Sequence, residues 1–354
     1  MHEIDSPAAP PREHEVVVAV HAAQLTRARL HHGGGVPGFA ATGRVVAAGE
    51  QALSLLDRVV LVGAVDPCGQ CEVCRRGGGA VCPHTQPRGG SARGTLAERV
   101  TVAARWVVPL DQELGLQALR GGDAADDGDV LARTAALAGD AALAYTLYAR
   151  ADLSPRDPVV LLGRTPVTRF LVEVLLAKGL VPTVLVDGAA DEHGAAWRTW
   201  LAARDANAVE VTLGEDAALT RAEIERGLAR RAASQAAELQ AARPWKLLVT
   251  EPRALLLASR LAGPRALLAV LAPPETTADD VSSLDPLAWL RELAVLSVTT
   301  ASPELVLETA ALAVRGELDL GAGTAVHELS ELAPDALAAI DPTRSLVVRV
   351  PVAR

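Results

Sequence analysis

Four cysteines between residues 68 and 82 are the side chains whose types and spacing point most directly to chemistry, and the chain has no others. In the stretch CGQCEVCRRGGGAVC, Cys68, Cys71, Cys74 and Cys82 are separated by two, two and seven residues. Steps of two residues let a chain fold around one ion, and the glycines at 77–79 let the fourth sulfur complete a tetrahedron. The stretch therefore predicts a structural zinc site, with one ion per chain and no open position for a substrate.

Three other interpretations of these thiols remain open from the sequence. A disulfide pair is one, although the start of the chain lacks the basic and apolar features of a secretory signal. An iron–sulfur cluster is another, because Cys82-Pro83 matches the end of the bacterial ferredoxin run; that run, however, has three residues and not seven before its last cysteine. Four free buried thiols are the third.

Composition limits the class of protein. The chain has 354 residues, enough for two domains, and half of them are apolar, as in globular proteins. Its formal charge of −9 and the absence of a basic cluster argue against a nucleic-acid partner. No apolar run reaches the length that crosses a membrane. We expect a cytoplasmic protein without a membrane or nucleic-acid partner.

The elements that must position the cysteines are short strands. Apolar, β-branched runs at 16–20, 43–48, 58–62 and 97–102 are separated by turn residues, and the cysteine loop interrupts them. This pattern predicts an antiparallel β domain. The acidic stretch 121–129, GGDAADDGD, has no periodicity and predicts an exposed loop.

A different pattern begins after Asp157. Apolar runs at 159–162 and 183–186 enclose a helical stretch ending at Leu176, and further runs occur at 247–250, 267–271 and 295–299. Buried parallel strands alternating with helices give such a pattern, so the fold class is α/β with a doubly wound sheet. A long charged helix at 217–242, a helix at 304–314 and a strand at 346–350 are also predicted. The expected domains are 1–152 and 153–301, with 302–354 returning to the first.

These landmarks make the chain similar to the zinc-containing medium-chain alcohol dehydrogenases over nearly its whole length. The cysteine loop, ATGRVVAAGE, LDRVVLV, LSPRDPVVLLG and Asp187 carry the resemblance. RPWKLLVTE at 243–251 and the tail from Ser302 resemble the 6-hydroxycyclohex-1-ene-1-carbonyl-CoA dehydrogenase branch. The resemblance implies a GroES-like β domain, a Rossmann domain, NAD(P) between them, and dimers joined through the edge strand near Val295.

The resemblance also implies a second, catalytic zinc, and here the sequence departs from the family pattern. Thr26 stands at the first ligand position, and Phe39 and Ala40 replace the His-Glu of the next ligand triplet. The third position falls near Gly139, with Asp140 beside it. A phenyl ring and a methyl group have no lone pair to donate, and no cysteine remains outside the loop. Zinc-assisted alcohol oxidation is therefore predicted to be lost.

Neighbouring positions are altered as well. Ala28 matches the relay hydroxyl, His31 the relay histidine, and Arg27 a pyrophosphate contact of the family. His31 and His32 with Asp140 are the side chains that could form a replacement metal site.

The nucleotide turn keeps one glycine of three. It reads Gly163, Arg164, Thr165, Pro166, Val167, Thr168, followed later by Asp187 at the ribose position. The second glycine lets backbone approach a pyrophosphate and the third permits close helix packing. We expect Thr165 to crowd a phosphate and Thr168 to push the helix from the strand, with Gly163, Arg164, Thr165 and Asp187 as the remaining cofactor residues.

Three functions follow from these residues. The first is a catalytically degenerate partner, scaffold or regulatory subunit, in a homo-oligomer or with a related dehydrogenase. The second is a zinc-independent NAD(P)-linked oxidoreductase acting on a carbonyl, enoyl or CoA-ester substrate by positioning and hydrogen bonding. The third is a binding protein for a CoA-like or other anionic ligand.

Overall fold

The computed structural model describes residues 10–26, 36–89, 94–110, 127–187, 192–211, 222, 224–226, 243–251, 254–272, 284–332 and 339–351. The chain divides into two compact units. The first unit comprises residues 1–142, 300–340 and 344–354, and the second comprises residues 143–299 and 341–343.

The strands, in chain order, are β1 Glu15–Leu25, β2 Ala40–Ala48, β3 Val59–Val62, β4 Val65–Asp66, β5 Gln86–Pro87, β6 Arg99–Ala103, β7 Val107–Pro109, β8 Val159–Leu162, β9 Thr183–Asp187, β10 Asn207–Val211, β11 Lys246–Val249, β12 Leu267–Leu271, β13 Ala294–Val298, β14 Thr324–Glu328 and β15 Ser345–Arg349. The α-helices are α1 Glu72–Arg75, α2 Asp127–Arg133, α3 Asp140–Arg150, α4 Pro166–Ala177, α5 Glu192–Ala202, α6 Leu255–Leu261, α7 Pro303–Val314 and α8 Leu320–Gly323. Short 3-10 helices cover Glu50–Leu55, Gly79–Val81, Ala104–Trp106, Thr134–Ala138, Pro286–Arg291 and Leu329–Glu331.

The first unit is built on a seven-stranded sheet ordered β14-β15-β1-β2-β3-β7, with β6 also paired to β1. Every pairing is antiparallel except that of β14 with β15. Alternate valines of β1, at 16, 18 and 20, enter a core with Val45 and Val60, because successive side chains of a strand face opposite sides. The last strand, β15, pairs with β1, so the C-terminal segment completes the sheet that the N-terminal segment begins.

The prediction of an exposed loop at 121–129 is wrong for its last three residues, 127–129. Residues 121–126 lie outside the described part of the chain, whereas Asp127 begins helix α2. Asp127 and Asp129 lie in the first turn of this helix, where negative side chains interact favourably with the helix dipole. The end of this acidic stretch therefore forms the first turn of a helix, although the stretch has no helical periodicity.

The second unit contains a six-stranded parallel sheet ordered β10-β9-β8-β11-β12-β13. This is the Rossmann strand order, in which the chain reverses direction across the sheet between its first and fourth strands, here β8 and β11. All four residues of β8 and all five of β12 are buried, as expected of parallel strands covered on both faces. The predicted α/β class is confirmed. Of the predicted long helix at 217–242, only residues 222 and 224–226 are described.

Within the described residues, no helix combines the length and the hydropathy that a bilayer span requires.

Candidate functional site

The cysteine loop is held at its base and on one side by packing. Strands β4 and β5 pair antiparallel, Val65 opposite Pro87 and Asp66 opposite Gln86, and so bring the two ends of the loop together. Gly79 lies against the Trp106 ring, where an added Cβ would come within 2.1 Å of Cζ2. Trp106 is itself buried in the core of the first unit. A short ribbon and an indole ring therefore fix the loop on the sheet.

The four sulfurs of the loop lie close enough together to share one ion, all within 4.8 Å of one another. Cys68 Sγ lies 4.0 Å from Cys74 Sγ and 3.6 Å from Cys82 Sγ, and Cys71 Sγ lies 3.8 Å from Cys82 Sγ. Four thiolates about 2.3 Å from a central zinc would stand roughly 3.8 Å apart at tetrahedral angles. The donor set and its spacing fit that ion, and none of the four cysteines forms a disulfide.

Backbone amides donate to two of these sulfurs. The amide of Cys74 donates to Cys71 Sγ at 3.4 Å, and that of His84 donates to Cys82 Sγ at 3.3 Å. Burial would raise the pKa of Cys82, but backbone amides of Cys68 and His84 and neighbouring thiols lower it to about 6. Burial and neighbouring thiols raise the pKa of Cys74 to about 12. A bound divalent cation would favour the thiolate at every position.

The positions expected for catalytic ligands are filled by core packing. Phe39 and Ala40 are buried where β2 begins, and neither offers a donor atom. A Cβ on Gly139 would lie 1.9 Å from Gln24 Oε1 and 3.0 Å from Phe39 Cε2, so a ligand side chain at position 139 would have to displace Gln24.

Asp140, beside Gly139, is tied into the first unit by hydrogen bonds. Its carboxylate accepts from Gln24 Nε2 and, at 2.6 Å, from Ser345 Oγ, while Gln24 Nε2 also donates to Ser345 Oγ at 3.2 Å. Burial raises the pKa of Asp140 to about 6, and the bonds from Ser345 and Gln24 oppose that rise. The carboxylate thus joins β1, α3 and β15.

Thr26 directly follows β1, whereas Arg27, Ala28, His31 and His32 lie outside the described residues. Across the described ranges, the cysteine cluster is the only group of three or more His, Cys, Asp or Glu side chains able to hold a metal. Among the described residues, the expected ligand positions therefore form no second metal cluster.

The turn after β8 keeps the conformation that requires its one glycine. Gly163 has a φ of +129°, and a Cβ there would lie 2.3 Å from Thr250 Oγ1. Thr165 caps helix α4, with Pro166 in the first turn. Thr165 Oγ1 accepts from the Thr168 amide, and Thr168 Oγ1 accepts from the Thr165 amide, each at 3.2 Å.

The turn is also bonded to the end of β11. The Arg164 amide donates to Glu251 Oε1 at 3.2 Å, and Thr168 Oγ1 lies 2.6 Å from Thr250 Oγ1. Amides that would face a dinucleotide phosphate are thus satisfied by the chain itself, and Pro166 has no N–H to offer. These residues do not fit a pyrophosphate. Asp187 is the last residue of β9.

Sequence reasoning missed the roles of Gln24, Ser345, Thr250 and Glu251. Gln24 and Ser345 are 321 residues apart in the chain, and no local pattern relates them. Glu251 did carry a signal, since it follows the strand that the Rossmann order places beside β8. Thr168, expected to push α4 from the sheet, instead bonds α4 to the end of β11.

Known proteins match the first part of the chain in sequence. Residues 12–112 match the model of the alcohol dehydrogenase GroES-like domain. A probable alcohol dehydrogenase, AdhA, of Mycobacterium tuberculosis (strain CDC 1551 / Oshkosh) is 33% identical over 110 residues. That alignment covers 27% of this chain and 32% of AdhA, so it spans about a third of the relative.

Solved structures match over almost the whole chain. Alcohol dehydrogenase TADH from Thermus sp. ATN1 has a TM-score of 0.71 at 19% identity, covering 99% of this chain and 96% of that one. Galactitol-1-phosphate dehydrogenase from Escherichia coli has a TM-score of 0.69 at 17% identity, with 98% and 96% covered. A cobalt- and zinc-bound thermostable alcohol dehydrogenase from Pyrobaculum aerophilum has a TM-score of 0.68 at 16% identity, with 97% and 94% covered.

The shared domain model, the aligned relative and the shared fold agree with the strand order of both units. Residues 12–112 are therefore a GroES-like domain of the alcohol dehydrogenase type, and the whole chain, with its Rossmann-like parallel sheet, has the fold of solved alcohol dehydrogenases.

Proposed function

We propose that this chain is a catalytically degenerate alcohol dehydrogenase homologue that keeps one structural zinc and acts as a partner, scaffold or regulatory subunit of an oligomer. The observation that supports it most directly is that Phe39 and Ala40, at two expected ligand positions, are buried and offer no donor atom, while Gly139 at the third is packed against Gln24 and Phe39. The cysteines, which could otherwise supply a thiolate, are gathered in the loop.

The chemical consequence concerns the alcohol proton. A catalytic zinc lowers the pKa of a bound oxygen and polarises it, which makes hydride loss possible near neutral pH. A buried phenyl ring and a methyl group at positions 39 and 40 supply neither charge nor a lone pair. The zinc at the cysteine loop would have four protein ligands and so would stabilise the fold without touching a substrate.

Metal content tests this proposal. Purified protein should contain one zinc per chain by inductively coupled plasma mass spectrometry, and all four cysteines should resist a thiol reagent until the zinc is removed. Primary and secondary alcohols should give no turnover with NAD or NADP. Two zinc ions per chain, or zinc-dependent alcohol oxidation, would overturn it.

The subunit role has its own support in the surface of the second unit. Strand β13 is the edge of the parallel sheet, and Val295 on it is 49% exposed, while nearby Leu290 is 81% exposed. Exposed apolar side chains beside an open strand edge are typical of an interface. Light scattering after size exclusion should give at least a dimer. A monomer at all concentrations, alone and when mixed with a related dehydrogenase, would contradict the subunit role.

A zinc-independent NAD(P)-linked oxidoreductase is the second candidate. The retained strand order and the positive φ of Gly163 favour it. It requires that the turn after β8 open toward a phosphate, and the hydrogen bonds of that turn oppose this. Reduction of an enoyl or carbonyl CoA ester by NADPH, unaffected by zinc removal, would establish this function instead.

A further inference from the structure

We infer that the Glu251 carboxylate occupies the position in the β8–α4 turn at which a dinucleotide phosphate would be held, so that the second unit carries its own anion and excludes NAD(P). This goes beyond the proposed function, which concerns the missing catalytic metal. It assigns to one side chain the failure of the turn to bind a cofactor.

The place of Glu251 in the sheet supports this assignment. In open parallel sheets, ligands bind beyond the carboxyl ends of the strands, at the point where the strand order reverses. Here that point lies between β8 and β11, which are paired in parallel with Leu162 opposite Val249. Glu251 follows the end of β11 by two residues, and Arg164 follows β8 by two. The carboxylate therefore enters the turn from the neighbouring strand.

The hydrogen bonds of the turn account for its donors. A helix N-terminus attracts anions because its first amides lack acceptors within the helix. At this end of α4, the Arg164 amide donates to Glu251, and the amides of Thr165 and Thr168 donate to the two threonine hydroxyls. Pro166 has no amide hydrogen. Of the five residues 164–168, four offer no amide to a ligand.

The threonines also keep the turn closed. Thr250 joins the ends of β8 and β11, because its amide and its hydroxyl both donate to the Leu162 carbonyl, at 2.9 and 3.3 Å. Thr168 Oγ1 then bonds Thr250 Oγ1, and both residues are buried. A pyrophosphate would have to displace a carboxylate of its own sign from donors that are already satisfied.

The test compares ADP binding, as a diphosphate probe, in the full-length protein and three variants. Glu251→Ala removes the carboxylate, Glu251→Gln keeps an acceptor oxygen but removes the charge, and Glu292→Ala removes an exposed carboxylate elsewhere in the second unit. Isothermal titration with ADP and NADPH measures affinity. Hydrogen–deuterium exchange of the peptide containing Arg164 reports whether its amide is released.

We expect only weak binding of ADP and NADPH to the wild-type protein and to Glu292→Ala. Glu251→Ala should gain ADP affinity by about tenfold or more, the change that one hydrogen bond to a charged group supplies, with faster exchange at Arg164. Glu251→Gln should gain less, and it keeps the test valid if the alanine variant does not fold.

Micromolar binding of NADPH to the wild-type protein, or equal ADP binding by wild type and both Glu251 variants, would overturn the inference. A protein that bound NADPH but contained one zinc and oxidised no alcohol would contradict this inference alone and leave the proposed function standing.

Discussion

At the scale of single residues, Asp140 shows how a carboxylate beside an expected metal-ligand position takes part in the core. Its carboxylate is buried, and burial raises its pKa from an ordinary 3.8 to about 6. Because the pKa of this carboxyl is higher in the folded state than in the unfolded state, it contributes its full stabilisation below pH 3.8. That stabilisation is lost as the pH rises through 6. At roughly 1.4 kcal/mol per pKa unit, the free energy of unfolding should fall by about 3 kcal/mol across this window.

Asp140→Asn should remove this pH dependence. The amide oxygen can still accept from Gln24 and Ser345, and the variant no longer buries a charge. Urea unfolding at intervals from pH 4 to pH 7.5 should show a flatter profile than wild type, with the variant at least as stable at pH 7.5. Asp57→Asn is a matched control, because Asp57 is exposed and its positive φ of 62° suits asparagine. A variant profile that parallels the wild-type profile would show that Asp140 is not the group that titrates between pH 4 and pH 7.5.

The sequence predicted the chemistry of single residues better than their contacts. That Phe39 and Ala40 offer no donor atom follows from the sequence, because donor capacity is a property of the side chain alone. It could not identify Gln24 as the group that fills the space beside Gly139, since that contact joins residues 115 positions apart and depends on how β1 lies in the sheet. Contacts set by tertiary packing leave no local pattern.

At the scale of elements, the cysteine loop should depend on its ion for its shape. The loop contains only a four-residue helix and a three-residue 3-10 turn, which cannot be stable alone. Cys82→Ser should lose the zinc and lower the melting temperature by roughly 10 °C, the effect of several kcal/mol in a domain of this size. Mass spectrometry under native conditions and differential scanning calorimetry measure the two effects.

Val81→Ser is the matched control for the loop, since Val81 precedes Cys82 and its side chain is 59% exposed. It should retain the zinc and the wild-type melting temperature. A Cys82→Ser protein with full zinc content would mean that the ion sits elsewhere, and equal losses in both variants would mean that the loop tolerates no change regardless of metal.

Strands were predicted more accurately than helix ends. The run at 159–162 matches β8 because a buried parallel strand is apolar at every position, a pattern that needs no knowledge of neighbours. The start of α4 carried a signal that went unused: a threonine followed by proline and a second threonine three residues later is typical of a capped helix. Because those threonines were interpreted only as replacements for glycines, the hydrogen bonds that they make were not predicted.

At the scale of the whole molecule, the chain passes between its two units more than once. Residues 341–343 group with the second unit, although the residues on both sides of them belong to the first. Arg169 of α4 holds this short segment: it donates to Thr343 Oγ1 at 2.9 Å and pairs with Asp341 at 3.5 Å. The Arg169 guanidinium is nearly buried and lies 4.5 Å from the centre of the Trp200 ring. One guanidinium thus contacts both Asp341 and Thr343 of this segment.

A double-mutant cycle between Arg169→Leu and Thr343→Val measures that dependence. A buried hydrogen bond to a charged group should give a coupling of about 1–3 kcal/mol in the free energy of unfolding, followed by tryptophan fluorescence in urea. Arg204→Leu with Thr343→Val is the control cycle, because Arg204 lies 4.3 Å from the centre of the same Trp200 ring but pairs with Glu173. Its coupling to Thr343 should be within about 0.5 kcal/mol of zero. Equal couplings in both cycles would show that the segment responds to the packing around Trp200 in general, and not to the bond that Arg169 makes.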